Sequence, residues 1–275
     1  MSAVRTYAIG DIHGQLEMLR EAHGWIAQDV AKYGGPYEIV HVGDLVDRGP
    51  DSAGVIGHLM HGQQTGQPWI VLKGNHDRMM AMFLGSEPQR DPNLRPEYTW
   101  THERLGGLTT LMSYDIGHDP GAPAGARWLH PKGGGMETLH SYDVDGNADD
   151  IESLHRAARA AVPREHIEYL NQLPLLHQTD AALFVHAGIK PGVPIDQQAE
   201  DDLLWIRAPF HNYRKPHEAL VVHGHTPIDT ATHYGNRINI DTGAGYGKAL
   251  AVIVVEGAEI VQLNRKGRRP LQQLG

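Results

Sequence analysis

At 275 residues the chain is long enough to bury a full core in one elaborated domain. A formal charge of −9 argues against a bulk electrostatic grip on nucleic acid, and zero cysteines exclude disulfides and thiolate metal sites and fit a reducing cytoplasm. The first strand is expected near residue 4, leaving no room for a signal peptide, and the longest apolar run, 249–255, is too short to span a bilayer, so a cytoplasmic protein without membrane association is expected.

In chain order, Tyr7-Ala8-Ile9 reads as a buried strand that runs into Gly10-Asp11-Ile12-His13-Gly14. Residues 15–33 read as a helix with Leu16, Leu19, Ala22, Ile26 and Val30 on one face, stopped by Gly34-Gly35-Pro36. The next strand, Ile39-Val40-His41-Val42, runs into Gly43-Asp44-Leu45-Val46-Asp47-Arg48-Gly49, and a helix over 51–61 follows with Asp51 or Ser52 as N-cap. Trp69-Ile70-Val71-Leu72 runs into Gly74-Asn75-His76-Asp77 and a third helix, whose Met79, Met80, Met82, Phe83 and Leu84 suit core packing. Strand and helix alternate over 4–85, which indicates βαβ units and a largely parallel sheet.

Residues 86–150 break this rhythm and read as an inserted cap. They hold a tandem repeat: Trp100, His102, Gly106, Gly107, Thr110, Leu111, Ser113, Tyr114 and Asp115 recur 28 residues later as Trp128, His130, Gly134, Gly135, Thr138, Leu139, Ser141, Tyr142 and Asp143. Two copies are too few for a solenoid, so a local duplication is the economical reading, each copy forming a short helix after its glycine pair. Trp100, Trp128, Tyr114 and Tyr142 are expected in the core rather than in stacking on a ligand, and His102 and His130 are explained by shared ancestry.

Residues 150–173 return to helix, with Pro163 expected in the first turn of a second one. The remainder is β-rich, at 181–186, 219–223, 237–241 and 248–255. The run Leu203-Leu204-Trp205-Ile206 looks strand-like, Arg237 to Ile240 and Ala249 to Val255 suggest a second sheet or a hairpin, and Arg265-Lys266-Gly267-Arg268-Arg269 suggests a solvated tail. The architecture expected is a two-sheet sandwich flanked by helices.

Five strands thus end in Asp, Asn or His beside glycine. In open α/β sheets ligands gather beyond the carboxyl ends of strands, so Asp11, His13, Asp44, Asn75, His186 and His225 are expected to converge. Oxygen and imidazole donors suit Mn2+, Fe or Zn2+, and Asp44 is the natural bridge between two ions. Asp11 and His13, alternating on an extended segment, would face one ion; Asn75, His186 and His225 would complete the other. His76, oriented by Asp47, suits a proton donor to a leaving oxygen, and Arg48 and Arg207 suit phosphate clamps. Alternation turns His223 to the opposite face.

These blocks resemble the calcineurin-like metallophosphoesterases: Gly10-Asp-Ile-His-Gly14, Gly43-Asp-Leu-Val-Asp-Arg-Gly49, Gly74-Asn-His-Asp77, His186 and Gly224-His-Thr226. The joined Asp47-Arg48 is similar to the phosphoprotein phosphatase branch, which includes bacterial Ser/Thr phosphatases, the phage lambda phosphatase and symmetrical diadenosine tetraphosphate hydrolases. The resemblance implies a four-layer α/β/β/α sandwich and two divalent metal ions, Mn2+ first among them. It implies direct water attack on phosphorus without a phosphoenzyme. Asp11, His13, Asp44, Asn75, His186 and His225 correspond to its ligands, His76 and Asp47 to its acid and orienter, and Arg48 and Arg207 to its clamps. Asp241-Thr242-Gly243 looks like the family's closing strand turn. The expected activity is hydrolysis of phosphomonoesters, with phosphoserine and phosphothreonine in proteins as substrates. The alternatives are a symmetrical dinucleoside tetraphosphate hydrolase and a non-catalytic phosphate-binding scaffold.

Overall fold

The structure is a computed structural model that describes residues 4–89, 91–93, 128–129, 133–146 and 150–274. The whole first copy of the repeat, including Trp100, His102 and Tyr114, lies outside the described residues, as does His130.

Period-two alternation builds the sandwich. In β1 (Arg5–Ile9), Tyr7 and Ile9 pack toward helices while Ala8 enters the layer between the sheets. In β9 (Val252–Glu256), Val252 and Val254 face the helices, and Ile253 and Val255 face the other sheet. These two strands pair antiparallel at the centre of one sheet, whose order is β11-β10-β9-β1-β2-β3. Its parallel half comprises β1, β2 (Tyr37–His41) and β3 (Trp69–Val71), joined by α1 (Leu16–Tyr33) and α2 (Ser52–Gln64); α3 (Asn75–Phe83) follows β3. The Asp51 carboxylate caps α2 by accepting from the Gly54 N–H at 2.7 Å. Strands β10 (Glu259–Asn264) and β11 (Gly267–Pro270) close the other edge.

The second sheet runs β12-β7-β8-β6-β5-β4, from β4 (Leu176–Gln178), β5 (Leu183–Val185), β6 (Val221–His223), β7 (Thr232–His233), β8 (Arg237–Asn239) and β12 (Gln272–Gln273). Phe184, Val222, Ile238 and Ile240 meet Ala8, Val40, Val42 and Ile253 between the sheets. Each fully buried branched aliphatic residue there contributes about 1.5–3 kcal/mol. Leu183, Val185 and Val221 point outward to Leu203, Ile206 and Phe210 in and beside two short helices, Glu200–Trp205 and Ala208–His211. The order of layers is therefore α/β/β/α, as expected.

The stretch 133–146 contributes a helix at Gly135–His140, and helices Ile151–Ala161 and Arg164–Gln172 follow. In chain order the helices after α3 are α4 (Gly135–His140), α5 (Ile151–Ala161), α6 (Arg164–Gln172), α7 (Glu200–Trp205) and α8 (Ala208–His211). Met79, Met80, Trp128 and Tyr142 all join the core on this side.

Four expectations need correction. Leu203 to Trp205 belong to α7, not to a strand; Glu200, Asp201 and Asp202 occupy its first turn, where the helix dipole favours acids. Arg237–Asn239 and Val252–Glu256 lie in different sheets and form no hairpin with each other. Pro163 is the N-cap of α6 rather than a residue of its first turn. The basic run near the end is the edge strand β11, where Arg268 pairs with Asp29 at 2.8 Å and with Glu256 at 3.1 Å.

On the helix side of β2 lies a chain of imidazoles. The Nδ1–H of His41 donates to the Ile70 carbonyl at 3.1 Å; ring nitrogens of His41 and His23 lie 2.9 Å apart, and those of His23 and His58 3.1 Å apart. Trp69 stacks on His23 at 4.2 Å. A cavity of about 340 Å3 opens beside these rings, near the starting ends of β2 and β3, at the other end of the strands from the polar turns.

Candidate metal centre

The turns after β2 and β3 are pressed together through two glycines. A Cβ on Gly43 would lie 2.6 Å from the Gly74 nitrogen, and one on Gly74 would lie 2.2 Å from the Asp44 nitrogen. Only glycine allows that approach. Asp77 ties the two turns further: its carboxylate accepts from Leu45 N–H at 2.9 Å and Gly74 N–H at 2.7 Å. The result places Asp44 against the start of α3, where it accepts from the His76 N–H at 3.0 Å.

Backbone strain concentrates in these turns. His13, Asp44, Asp47, Arg48 and His225 all have positive φ, between 48° and 75°. Each such non-glycine residue costs on the order of 1–3 kcal/mol, a cost that persists where surrounding structure enforces a functional geometry. His13 therefore sits in a turn beyond β1, not on an extended segment alternating with Asp11, as the sequence had suggested.

Among the described residues, two sets of donors have ligand atoms within 4.8 Å of one another: His13, Asp44 and His76, and Asp44, His186 and His225, all buried. Asp44 belongs to both. The first set contains His76 where Asp11 was expected. Asn75 joins the second, with its Oδ1 at 2.9 Å from His186 Nε2 and 2.8 Å from His225 Nδ1.

The hydrogen bonding calls for a cation. His186 Nδ1 faces the Val42 carbonyl at 3.0 Å, and a carbonyl only accepts, so that nitrogen carries the proton. The lone pair of His186 Nε2 then confronts Asn75 Oδ1 at 2.9 Å and Asp44 Oδ1 at 3.4 Å. Three acceptors turned on one another repel unless a positive charge lies among them. At His13 the Nδ1 donates to the Val46 carbonyl at 2.8 Å, and its Nε2, 3.4 Å from Asp44 Oδ2, already has a cation beside it in the Arg48 guanidinium. Asp11 accepts from the His225 N–H at 2.9 Å through Oδ2, but its buried Oδ1 has no hydrogen-bond partner among the described residues. Burial, with Asp241 and Asp44 nearby, pushes the Asp11 carboxyl well above the usual range. Burial also raises Asp44, but the His186, His76 and His13 rings and Arg48 outweigh it and hold Asp44 low. The donor set fits divalent cations, and imidazole, carboxylate and amide oxygen are the ligand types borderline and hard ions prefer.

Around these donors, His76 Nδ1 donates to Asp47 Oδ2 at 2.5 Å, and Arg48 donates to His13 Nε2 and, at 3.0 Å, to His76 Nε2. Arg207 donates through Nε to His225 Nε2 at 3.2 Å. His223 is turned away, against Arg237 and Phe210, as alternation required.

Three residues at the centre were not assigned to the site from the sequence, although Asp241 was read as a strand turn and Trp128 as core. Asp241 is a buried acid whose carboxyl is pushed up to about 6 by burial, with Asp44 contributing; its oxygen also accepts from Gly243 N–H at 2.9 Å. The signal was present, since Ile238-Asn239-Ile240 runs into Asp241 in the same pattern as the other strands. The others, Trp128 and Thr138, reach Asp47 from the second copy of the repeat: Trp128 Nε1 donates to both carboxylate oxygens, at 2.9 and 2.8 Å, and Thr138 Oγ1 donates to Oδ1 at 2.7 Å. Trp128 is thus a core residue as expected, with a polar edge that serves Asp47.

A sandwich of two sheets whose strand ends converge on paired His and Asp donors carries a candidate centre for metal-assisted hydrolysis. The chain belongs to the calcineurin-like phosphoesterase family, whose signature matches residues 4–250. It is 27% identical over 93% of its length to a protein of Anoxybacillus flavithermus named bis(5'-nucleosyl)-tetraphosphatase PrpE [asymmetrical], covering 92% of that protein. A shorter stretch, 26% of the chain and 30% of the relative, is 38% identical to serine/threonine-protein phosphatase 1 of Salmonella typhimurium. Among solved structures, one described as a candidate diadenosine tetraphosphatase matches with a TM-score of 0.56 and 21% identity over 94% of this chain and 93% of that one.

Proposed function

We propose that this protein hydrolyses a phosphoanhydride bond of dinucleoside tetraphosphates, using two divalent metal ions, Mn2+ first among them. The observation that carries the metal chemistry is Asp44, common to two buried donor sets, in the second of which lone pairs oppose one another. When bound, divalent ions there supply charge neutralisation to phosphate oxygens and activation of water. The substrate class rests on the relatives that match along nearly the whole chain, inserted segment included, and carry dinucleoside tetraphosphatase names.

The chain's own residues have distinct tasks. Arg48 and Arg207 present guanidinium donors at the His13 and His225 sides of the donor sets and clamp phosphate oxygens. With Arg48 turned from His76 to the phosphate, the protonated His76 ring, its Nδ1 fixed by Asp47, presents Nε2–H to the leaving oxygen and delivers that proton there. Water adds to phosphorus, the bridging P–O bond breaks, and the departing nucleotide takes the proton.

The second reading, hydrolysis of phosphoserine and phosphothreonine in proteins, is favoured by the Salmonella match. Metal-free protein reconstituted with Mn2+ and given diadenosine tetraphosphate and a phosphoserine/phosphothreonine peptide in parallel separates the two. Faster turnover of the dinucleotide is expected, with ATP and AMP marking asymmetrical cleavage and two ADP marking symmetrical cleavage. Preference for the peptide overturns the substrate assignment, and no turnover of either with Mn2+, Fe2+ or Zn2+ leaves a phosphate-binding scaffold.

A further inference from the structure

Asp47 is fully buried, and each of its oxygens has two donors. Oδ1 accepts from Trp128 Nε1 at 2.9 Å and Thr138 Oγ1 at 2.7 Å; Oδ2 accepts from Trp128 Nε1 at 2.8 Å and His76 Nδ1 at 2.5 Å. Three of these four contacts come from the second copy of the repeat. Only the fourth belongs to the sandwich.

Thr138 grips the same residue twice. The Asp47 N–H donates to Thr138 Oγ1 at 2.9 Å, and a backbone N–H can only donate, so the hydroxyl proton is free for the carboxylate. Ser52 Oγ also accepts from the Asp47 N–H, at 3.1 Å. Asp47 and Arg48 are consecutive residues at positive φ, 75° and 67°, a turn that needs outside support. The glycine pair of the repeat provides room for it. A Cβ on Gly134 would lie 2.2 Å from the Arg48 nitrogen, and one on Gly135 would lie 2.5 Å from the Trp128 carbonyl oxygen and 2.6 Å from its ring. Ser141 extends the grip to the start of α2, its Oγ accepting from the Ala53 N–H at 3.0 Å. Trp, Gly-Gly, Thr and Ser, the residues that mark the repeat, are thus the residues that close on Asp47 and its flanks.

We propose that Trp128 and Thr138 are positioning residues: they lock the rotation of the Asp47 carboxylate so that one oxygen is held for His76 Nδ1, and the second copy of the repeat thereby completes the proton donor. The functional half of this inference rests on the reading of His76 as the acid. Without these two donors, Oδ1 loses both of its partners and a buried carboxylate keeps only His76 and whatever water reaches it, so it turns.

The test reads the His76–Asp47 contact directly. In metal-free protein the Nδ1 proton of His76 gives a far-downfield proton resonance, identified by its loss in Asp47→Asn. Trp128→Phe keeps the ring and removes the N–H; Thr138→Val keeps the shape and removes the hydroxyl; Thr138→Ser restores it. The first two variants are expected to move the resonance upfield and speed its exchange with water at least tenfold. They should also lower kcat by about 10- to 100-fold on the substrate turned over fastest, with KM and metal content unchanged. Thr138→Ser returns both readouts toward wild type. Trp100→Phe, the matching change in the first copy, leaves the resonance in place.

An unmoved resonance in Trp128→Phe and Thr138→Val overturns the proposal, as does a resonance moved by Trp100→Phe instead. A moved resonance with wild-type kcat in both variants, while His76→Asn is inactive, also overturns it. If His76→Asn itself turns over normally, the acid assignment fails, while the moved resonance still upholds the positioning of Asp47.

Discussion

Replacing Asp44 by Asn changes one atom in the acid shared by both donor sets. The lost term is the attraction between a unit negative charge and the cations held around it. At a separation of about 4 Å and an effective dielectric near 20, one unit pair is worth about 4 kcal/mol, about a thousandfold in affinity. Metal at about a thousand times its Kd stabilises a fold by about 4 kcal/mol. For a chain of 275 residues the unfolding entropy is about 0.6 kcal/mol/K, so Mn2+ should raise the wild-type Tm by about 7 °C. At the same Mn2+ concentration Asp44→Asn should gain less than about 1 °C, lose turnover and retain a native circular-dichroism spectrum without metal. The assay is a thermal melt with and without Mn2+, paired with elemental analysis of dialysed protein. A variant with the wild-type metal-dependent shift and near-normal turnover would refute the shared-acid scheme.

His76→Asn should lower kcat by about 100-fold or more while bound metal is retained; substantial metal loss on dialysis would make His76 a ligand, as its place in the first donor set allows. Gly62→Ala sets two effects against each other. Alanine favours a helix by about 1 kcal/mol, but its Cβ in α2 would fall 1.8 Å from the Trp69 ring. The clash wins, and urea unfolding should show a net loss of about 1–3 kcal/mol with normal metal binding. Burial pushes the His41 ring down to about 4. The unfolded chain therefore takes up a proton near pH 6.5 that the folded chain refuses, and stability falls as pH drops from there toward 4, by about 2 kcal/mol at pH 5. His41→Phe should flatten that part of the urea-midpoint profile between pH 7 and 5; an unchanged profile would assign the acid loss elsewhere.

The strand ends were legible because each repeats a local pattern, an apolar run followed by glycine and a polar donor, and local patterns survive in sequence. Helix α7 was not, since Leu203 to Ile206 is an apolar run that strand and helix share; the acids at 200–202 carried the deciding signal. The separation of β8 from β9 was hidden for another reason. Both strands are buried on two faces, and burial alone says nothing about which sheet a strand joins. Trp128 read correctly as core, but its N–H meets a carboxylate 81 residues away, and nothing near residue 128 announces that partner. Asp241 was visible and was taken as a turn residue, because a turn and a strand-end donor are written in the same letters.

The contacts that assemble the centre also constrain how the chain can fold. Asp11 meets His225 across 214 residues, Asn75 meets His225 across 150, and Val42 meets His186 across 144. Contacts at such separations come with a large loop-closure entropy and form slowly. A nascent chain that has completed only β1 to α3 already holds the first donor set, His13, Asp44 and His76, but neither His186 nor His225 of the second. Only the donor set that needs His186 and His225 waits for the second sheet to dock. An ion held between Asp44 of the first sheet's turns and His186 and His225 of the second would clasp the sheets to each other, and its release would time the opening of the sandwich.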